Sequence, residues 1–422
     1  MKTPFNPLFL AASALCILLG VSHSSLPPAD RETLESELQE VIERGIAKYE
    51  ARGVSAAVVF PDGSSWTGVS GFSHDTVPIR KDMLFAIGSV TKNMVAALTL
   101  KRAEEGALSL DDPLSKWLPD YPNIDPSITI RQLLNHTSGI YMFWSNQQIW
   151  DDLKKDREKR WTPEEVLAYV KEPYFKPGEG FRYSNTNYLL MAMILEKAGG
   201  ATLSGQFREA FWTPLGIENA FLSLEEDIPE RQVHVFGDNF NNDGSVMDLT
   251  FLPRVSHESI TYGSGGLFMT AEGLARWCHA LFEGEVLGRK SMDEMLDFVE
   301  RGLGWKKRGY GLGVERFSKR QSSGAIAIGH TGANIGTSVY MMHLQEQHTS
   351  VVVMINSFDH KCSGAITKNL TTAILRDRGE AGLFPYFDLF PLGFVLIGAS
   401  VFWAGFFVLW VRRRRRNKIG KG

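Results

Sequence analysis

The chain has 422 residues, of which 44% are hydrophobic and 22% are charged, and its formal net charge is −3 at pH 7. This length and apolar content are sufficient for a sizeable globular core. Eight of the 45 basic residues are Lys2 and those of the C-terminal tail, so 37 remain in the body of the chain against 48 acidic residues. An acidic body argues against binding to nucleic acid.

The N-terminus has the pattern of a secretory signal peptide. Lys2 precedes an uncharged stretch at 8–21, and small residues follow at 22–25. This pattern predicts a signal peptide over 1–24, although its single charge also fits an uncleaved anchor. Cys278 and Cys362 would remain in the mature chain; they could pair, but nothing in the sequence requires it.

Strand patterns occur near both ends of the body of the chain. The stretches 54–60 and 65–72 flank the turn residues Pro61-Asp62-Gly63 and predict an antiparallel hairpin. The segment 106–290 is predicted to be mostly helix and loop. Late strands are predicted near 312–317, 324–329, 337–343 and 350–356.

The first motif with chemical potential is Ser89-Val90-Thr91-Lys92, at the start of a predicted helix over 90–105. Residues three apart share a helix face, so Lys92 can reach the hydroxyl of Ser89. Free N–H groups at the helix start would help to hold an oxyanion, and burial can lower the pKa of a lysine until it acts as a base. The alternative is a capping serine beside a solvated lysine, since S-x-x-K is expected about once by chance in a chain of this length.

The second motif is Tyr183-Ser184-Asn185, in a turn-rich segment that leads into a predicted helix over 188–197. Loops on a rigid scaffold commonly carry catalytic groups. Tyr183 could share a proton with Lys92, and Asn185 could donate to a substrate carbonyl or hold the lysine in place. The alternative is that Ser184 or Asn185 caps the helix while Tyr183 only packs against it.

The third motif is His330-Thr331-Gly332, between strand patterns at 325–328 and 337–342. Glycine in such a strand permits close approach of a ligand to the backbone. His330 and Thr331 could bind a substrate carboxylate or assist proton transfer. The alternative is a hairpin in which the glycines form the turn and the histidine has no role.

In this order, the three motifs resemble those of the superfamily of serine β-lactamases and penicillin-binding proteins. The similarity is greatest to the serine peptidase S12 branch, which contains class C β-lactamases, D-Ala-D-Ala carboxypeptidases, D-aminopeptidases and related esterases. It extends over about 34–375 and includes stretches between the motifs, at 84–89, 108–112, 133–139 and 265–267.

The resemblance implies an α+β fold of the β-lactamase/transpeptidase type, in which an antiparallel sheet from both chain ends is flanked by helices. A mainly helical insert would complete it, with the active site at the junction. Acyl transfer in this family needs no metal and no cofactor. The implied site consists of Ser89 as nucleophile, Lys92 and Tyr183 as the base system, Asn185, His330, Thr331 and Gly332 as substrate-binding residues, and the backbone N–H groups of Ser89 and Ala333 as the oxyanion hole.

One residue departs from the pattern of the penicillin-hydrolysing members, which usually have a lysine where this chain has His330. A lysine is a cation at neutral pH, whereas a histidine is often neutral. The departure favours a peptidase on D-amino-acid, cell-wall-type peptides, or on a related amide or ester. The alternatives are a β-lactamase or esterase of the same superfamily, with β-lactams as further candidate substrates, and a penicillin-binding or sensor protein without turnover.

The C-terminal region has the pattern of a membrane anchor. Residues 389–411 are 23 in number and carry no charge, and an unbroken run of arginines follows at 412–416. The pattern predicts a transmembrane helix and, by the positive-inside rule, a cytoplasmic tail at 412–422. The hydrolase domain at 25–382, joined by a linker at 383–388, would then lie in the periplasm or outside the cell. The arginines act as a stop-transfer signal in this interpretation and not as a nucleic-acid patch.

Overall fold

The computed structural model describes residues 31–237, 246–301 and 308–380. The predicted signal peptide at 1–24, the linker at 383–388, the predicted membrane helix at 389–411 and the basic tail at 412–422 therefore lie outside the described residues. Among the helices that are described, none combines the length and the apolar character that crossing a bilayer requires.

Within the described residues, the fold is built around a nine-stranded antiparallel sheet of strand order β3-β2-β1-β14-β13-β12-β11-β10-β9. A second sheet has the order β4-β8-β5, and β6 and β7 form a short ribbon. The strands are β1 (Gly53–Val59), β2 (Ser65–His74), β3 (Val77–Pro78), β4 (Phe85–Ala86), β5 (Ala220–Leu222), β6 (Phe236–Gly237), β7 (Met247–Asp248), β8 (Leu267–Met269), β9 (Val299–Arg301), β10 (Arg308–Tyr310), β11 (Glu315–Arg316), β12 (Ala327–Asn334), β13 (Thr337–Leu344) and β14 (Thr349–Ile355).

The helices cover both faces of the main sheet. The α-helices are α1 (Arg31–Tyr49), α2 (Thr91–Glu104), α3 (Leu114–Trp117), α4 (Ile130–Leu134), α5 (Gln147–Lys155), α6 (Pro163–Leu167), α7 (Asn185–Gly199), α8 (Leu203–Phe207), α9 (Val255–Thr261), α10 (Ala271–Phe282), α11 (Arg289–Met295) and α12 (His360–Asp377). Short 3₁₀ turns occur at Gly88–Val90, Phe143–Ser145 and Tyr262–Ser264.

The two ends of the chain meet at the centre of the sheet, as predicted. Strand β1 pairs with β14 in a register that places Val54 opposite Ile355. Every residue of these two strands is buried, because α1 and α12 cover one face and α10 covers the other. The predicted α+β fold is thus confirmed, including the hairpin of β1 and β2, whose turn contains a Gly63 N–H to Phe60 carbonyl hydrogen bond.

The face covered by α1 and α12 forms one apolar core, and the opposite face forms a larger core with the helical insert. Cys278 belongs to the larger core and Cys362 to the smaller one, so the two thiols are separated by the sheet. Both cysteines are buried and unpaired. The open possibility of a disulfide between them is therefore not realised in this structure.

Strand β4 of the second sheet leads directly to Ser89 in the candidate site. Strand β4 pairs with β8, and the Ile87 N–H continues the pairing by donating to the Leu267 carbonyl at 2.9 Å. The next three residues form the 3₁₀ turn Gly88–Val90, which leads directly into α2. Ser89 therefore lies on a tight turn between a strand and a helix, at the junction of the main sheet and the helical insert.

Candidate active site

Ser89 and Lys92 are in direct contact. Their side chains form a hydrogen bond with 2.9 Å between Lys92 Nζ and Ser89 Oγ, and Lys92 Nζ also donates to the Ser264 carbonyl at 2.6 Å. Ser89 is half-buried, whereas Lys92 has 0% of its surface exposed. Burial lowers the pKa of Lys92 well below its ordinary value, and the nearby carboxylate of Glu315 opposes this effect. A neutral Lys92 amine can accept the proton of Ser89.

The second motif lies beside this pair. Lys92 Nζ is 5.0 Å from the centre of the Tyr183 ring. The loop is held by His136, whose Nδ1 lies 3.3 Å from the Ser184 N–H nitrogen and 3.0 Å from the side-chain nitrogen of Asn187. The Tyr183 ring also packs on the His136 ring, with 4.3 Å between their centroids. His136 thus fixes the loop that places Tyr183 next to the lysine.

Asn185 begins α7 with a buried amide oxygen. Within the described residues, its Oδ1 has no hydrogen-bond partner. A buried acceptor without a partner is costly, and a ligand N–H is one group that can satisfy it. Ser184 occupies the N-cap position, but its side chain makes no capping hydrogen bond. The alternative in which this motif serves only to cap the helix is therefore not supported by Ser184.

The third motif lies inside β12 and not between two strands. Its glycine does not form the hairpin turn, which follows β12 at Ile335-Gly336, where Gly336 has a φ of +66°. Gly332 is instead required by close packing, because a Cβ there would lie 2.0 Å from the Ile87 carbonyl oxygen. The strand predicted near 324–329 extends further than expected, since β12 runs from 327 to 334 and includes the motif. The alternative in which the glycines form the hairpin turn is therefore wrong.

His330 is buried and points into the protein. Its Nε2 lies 2.9 Å from the Tyr310 hydroxyl oxygen, and its Nδ1 lies 2.6 Å from the Thr331 carbonyl oxygen. The carbonyl can only accept, so Nδ1 donates to it, and Nε2 of a neutral ring accepts from Tyr310. This pairing places a buried imidazole where penicillin-hydrolysing relatives usually have a lysine.

The backbone of Ser89 is pressed against β12 by two glycines. A Cβ on Gly88, whose φ is +53°, would lie 2.1 Å from the Ala333 carbonyl oxygen. Gly332 makes the corresponding contact with Ile87 from the other side of the interface. Only glycine allows both backbones to approach so closely. The close packing brings the Ser89 turn and the Ala333 backbone, the two predicted halves of the oxyanion hole, next to each other.

Glu315 is a site residue that the sequence did not identify. Its Oε1 accepts from the Thr331 N–H at 3.2 Å and from the Thr331 hydroxyl at 2.8 Å, and it lies 3.7 Å from His330 Nδ1. Its side chain is 14% exposed. No motif surrounds Glu315, which reaches the site only because β11 pairs with β12 and places it opposite Gly329. Ser264 and Tyr310, which hold Lys92 and His330, were missed for the same reason.

A cleft of about 880 Å³ opens beside the site at Ala333 and the turn that follows β12. Aromatic side chains line part of it, namely Trp150, Phe236 and Phe358. Ala333 is the residue that this cleft shares with the candidate site, whereas Ser89, Lys92, Tyr183 and His330 do not line it.

Comparison with known proteins places the chain in a family. A family model described as Beta-lactamase matches residues 38–369. Penicillin-binding protein 4* of Bacillus subtilis (strain 168) is 27% identical over 290 residues, which cover 66% of this chain and 62% of that protein. Esterase EstB of Burkholderia gladioli is 26% identical over 67% of this chain and 79% of its own length. The chain thus spans less than two thirds of Penicillin-binding protein 4*.

Solved structures show the same fold. A D-stereospecific amidohydrolase from Streptomyces sp. superposes with a TM-score of 0.69 and 27% identity, and the match covers 78% of this chain and 97% of that one. A D-amino acid amidase from Ochrobactrum anthropi SV3 superposes with a TM-score of 0.71 at 23% identity, over 83% of this chain and 100% of that one. The chain is therefore a member of the Beta-lactamase family, within the superfamily of serine β-lactamases and penicillin-binding proteins.

Proposed function

We propose that this protein hydrolyses amides or short peptides of D-amino acids whose amino group is free, through an acyl-enzyme on Ser89. The observation that carries the substrate class is the contact between Glu315 and Thr331 on β12. The names of similar proteins, a D-stereospecific amidohydrolase and several D-aminopeptidases, support the same class.

The charge near Thr331 favours a cationic group over an anionic one. The Thr331 hydroxyl already donates to Glu315 at 2.8 Å, so it is not available to a substrate carboxylate. His330 is buried and paired with Tyr310, and in neutral form it adds no positive charge. Two unit charges 4 Å apart interact by about 4 kcal/mol at an effective dielectric constant of 20. An interaction of this size is sufficient for the sign of the charge on the substrate to decide which substrates bind. Glu315 would attract a substrate ammonium group and repel a carboxylate.

The chemical steps follow from the contacts of Ser89. Its Oγ attacks the scissile carbonyl while its proton passes to the neutral amine of Lys92. The oxyanion would be held by the N–H groups of Ser89 and Ala333, and the amide of Asn185 would position the substrate. The amine then leaves with a proton delivered from the Lys92–Tyr183 pair. Water attacks the acyl-enzyme and gives a proton to the same pair, which then protonates Ser89 Oγ as the acid is released.

A panel of substrates tests the proposal on the purified full-length chain in detergent. We expect D-phenylalanine amide and D-alanyl peptides with a free amine to be hydrolysed, and their L-enantiomers to react at least about tenfold more slowly. Blocking the amine by N-acetylation should also reduce kcat/KM about tenfold or more. A fluorophosphonate probe should label the wild type and not Ser89→Ala, which is the matched control.

Two results would contradict this function. If the acetylated and free amines are hydrolysed equally, or if nitrocefin is the best substrate, the role of Glu315 is wrong. If the probe labels Ser89 but no amide or ester turns over, the protein is a binding or sensor protein.

Ester hydrolysis is the second candidate, because the match to Esterase EstB covers 79% of that relative. Short-chain p-nitrophenyl esters therefore belong in the panel. If they exceed every amide in kcat/KM by more than about a hundredfold, ester hydrolysis replaces amide hydrolysis as the proposed activity.

A further inference from the structure

Three histidines surround one carboxylate at a place that the proposed reaction does not use. Glu283 follows the last residue of α10, one helical turn after His279. His343 lies on β13, and His348 belongs to the turn between β13 and β14. We refer to His279, Glu283, His343 and His348 as the histidine cluster.

The cluster brings its nitrogen and oxygen atoms together. His343 Nε2 lies 3.3 Å from a Glu283 carboxylate oxygen, and His348 Nδ1 lies 3.1 Å from both oxygens. One ligand atom each from His279, Glu283 and His343 lies within 4.8 Å of the others. Two ligands bound tetrahedrally to zinc at about 2.0–2.1 Å are about 3.3 Å apart. The distances from Glu283 to His343 and His348 thus already match this separation, whereas His279 lies within 4.8 Å of Glu283 and His343.

The surroundings of His343 and His279 favour their use as metal ligands. His343 is 3% exposed, and its Nδ1 lies 3.0 Å from the Ser350 hydroxyl, which leaves Nε2 to face Glu283. Metal-binding histidines commonly use their second ring nitrogen in such a hydrogen bond, which fixes the ring orientation. Within the described residues, the Nδ1 of His279 is buried and has no hydrogen-bond partner. A buried ring nitrogen of this kind is a ready electron-pair donor.

From these contacts we infer that the histidine cluster is a structural binding site for a divalent transition metal, zinc in the first place. Three imidazole nitrogens and one carboxylate oxygen are ligands that suit zinc. Magnesium and calcium are disfavoured, because they prefer oxygen ligands. The ligand atoms that lie close to one another are those of His279, Glu283 and His343. Movement of the exposed His348 side chain toward them would add a fourth ligand and close the coordination sphere, as in structural zinc sites. The ion would tie the end of α10 to the β13–β14 turn.

The site is separate from the acyl-transfer machinery. It shares no residue with the group of Ser89, Lys92, Tyr183 and Glu315. His343 pairs with Ile328 on β12, two residues before His330 along the chain. The ion would therefore stabilise the sheet next to the active site, while serine acyl transfer itself proceeds without it.

The test uses the full-length chain, purified with a tag that contains no histidine, and zinc chloride as the probe. We expect isothermal titration to show one zinc ion per chain, and zinc at about a hundred times Kd to raise the melting temperature by at least about 2 °C. Cobalt in place of zinc should give the intense visible absorption of tetrahedral coordination. Glu283→Gln and His348→Ala should each weaken zinc binding at least tenfold. His360→Ala, which removes an exposed histidine outside the cluster, should leave binding unchanged.

Substitution of the buried His343 is the change most prone to unfold the protein. A cooperative thermal unfolding transition, measured without metal, shows whether such a variant is folded. His348 is 60% exposed, so His348→Ala provides a test that does not depend on core packing. A zinc affinity that is the same in wild type, Glu283→Gln and His348→Ala would overturn the inference, as would the absence of zinc binding to the wild type.

Discussion

Lys92 Nζ lies 2.9 Å from Ser89 Oγ, although the lysine has no exposed surface. The fold therefore keeps an ionisable amine in its core, in contact with the Ser89 hydroxyl, from which it can accept a proton. Burial of an ionisable group without a charged partner destabilises a protein, and such a cost is commonly found at functional sites. The contact with the Ser264 carbonyl orients the amine, but it does not supply a negative charge.

We expect Lys92→Met to abolish activity and to stabilise the protein. General-base catalysis commonly contributes about 10²–10⁴ in rate, so labelling of Ser89 by a fluorophosphonate should slow by about this factor. A methionine fills similar space without a desolvated amine, so the free energy of unfolding in urea should rise by about 1–2 kcal/mol at pH 7. A variant that keeps wild-type labelling rates would exclude Lys92 as the base.

The pH dependence of stability should reveal the same lysine. Burial lowers the pKa of Lys92 in the folded state, whereas the unfolded chain has the ordinary value near 10.4. Between these two values the unfolded state binds one more proton, so the free energy of unfolding should increase with pH by up to about 1.4 kcal/mol per pH unit. The difference between wild type and Lys92→Met, measured by urea unfolding from pH 6 to 10, isolates this contribution. Parallel curves would mean that Lys92 is charged in the folded state.

The activity should also increase with pH as Lys92 loses its proton. Because the neutral amine is the base, kcat/KM should fall as the pH decreases through the lowered pKa of Lys92. A rate that is constant down to pH 4 would contradict control of the reaction by this ionisation.

Glu315→Gln should change substrate preference more than turnover. Loss of the negative charge should raise KM for amides with a free ammonium group about tenfold, and lower it for substrates with a carboxylate in the same position. The glutamine can still accept from Thr331, so the strand should keep its geometry. Glu300→Gln is the matched control, because Glu300 on β9 is an exposed carboxylate paired with Arg316 on β11. Equal changes in both variants would indicate a long-range charge effect and no specific role of Glu315.

Gly88→Ala should damage both stability and activity. The added Cβ would lie 2.1 Å from the Ala333 carbonyl oxygen, so the Ser89 turn must move away from β12. Gly106→Ala is the control: it has a similar positive φ of +74°, but its added Cβ meets nothing within 4 Å. We expect the control to lose about 1 kcal/mol from backbone strain and Gly88→Ala to lose at least about 3 kcal/mol by urea unfolding. Similar losses in the two variants would show that the contact with Ala333 is easily relieved.

The sequence was most informative where chemistry and local structure coincide. Ser89 and Lys92 are three residues apart at a helix start, so their contact follows from helix geometry alone. The buried strands β1 and β14 were also predictable, since short, mainly apolar segments rich in valine are typical of strands covered on both faces. The arrangement of these elements in one sheet was expected from the family resemblance.

The sequence was least informative where a contact depends on pairing between distant segments. Glu315 meets Thr331 only through the register of β11 and β12, and Ser264 reaches Lys92 across 172 positions of the chain. Glycine was ambiguous for a related reason. Gly332 serves a close approach to Ile87, which is 245 positions away in the sequence, and no local pattern distinguishes this use from a turn.

The pairing of β1 with β14 also determines when this protein can first be active. Ser89 belongs to the first quarter of the chain, whereas the strand that completes its surroundings, β12, begins only at Ala327. Strand β14 must then insert between β13 and β1 before the central sheet is continuous. Such long-range closure is slow compared with local helix formation. A chain emerging from the ribosome therefore carries its candidate nucleophile long before the site around it can be complete, because that site requires almost the whole domain to have been synthesised.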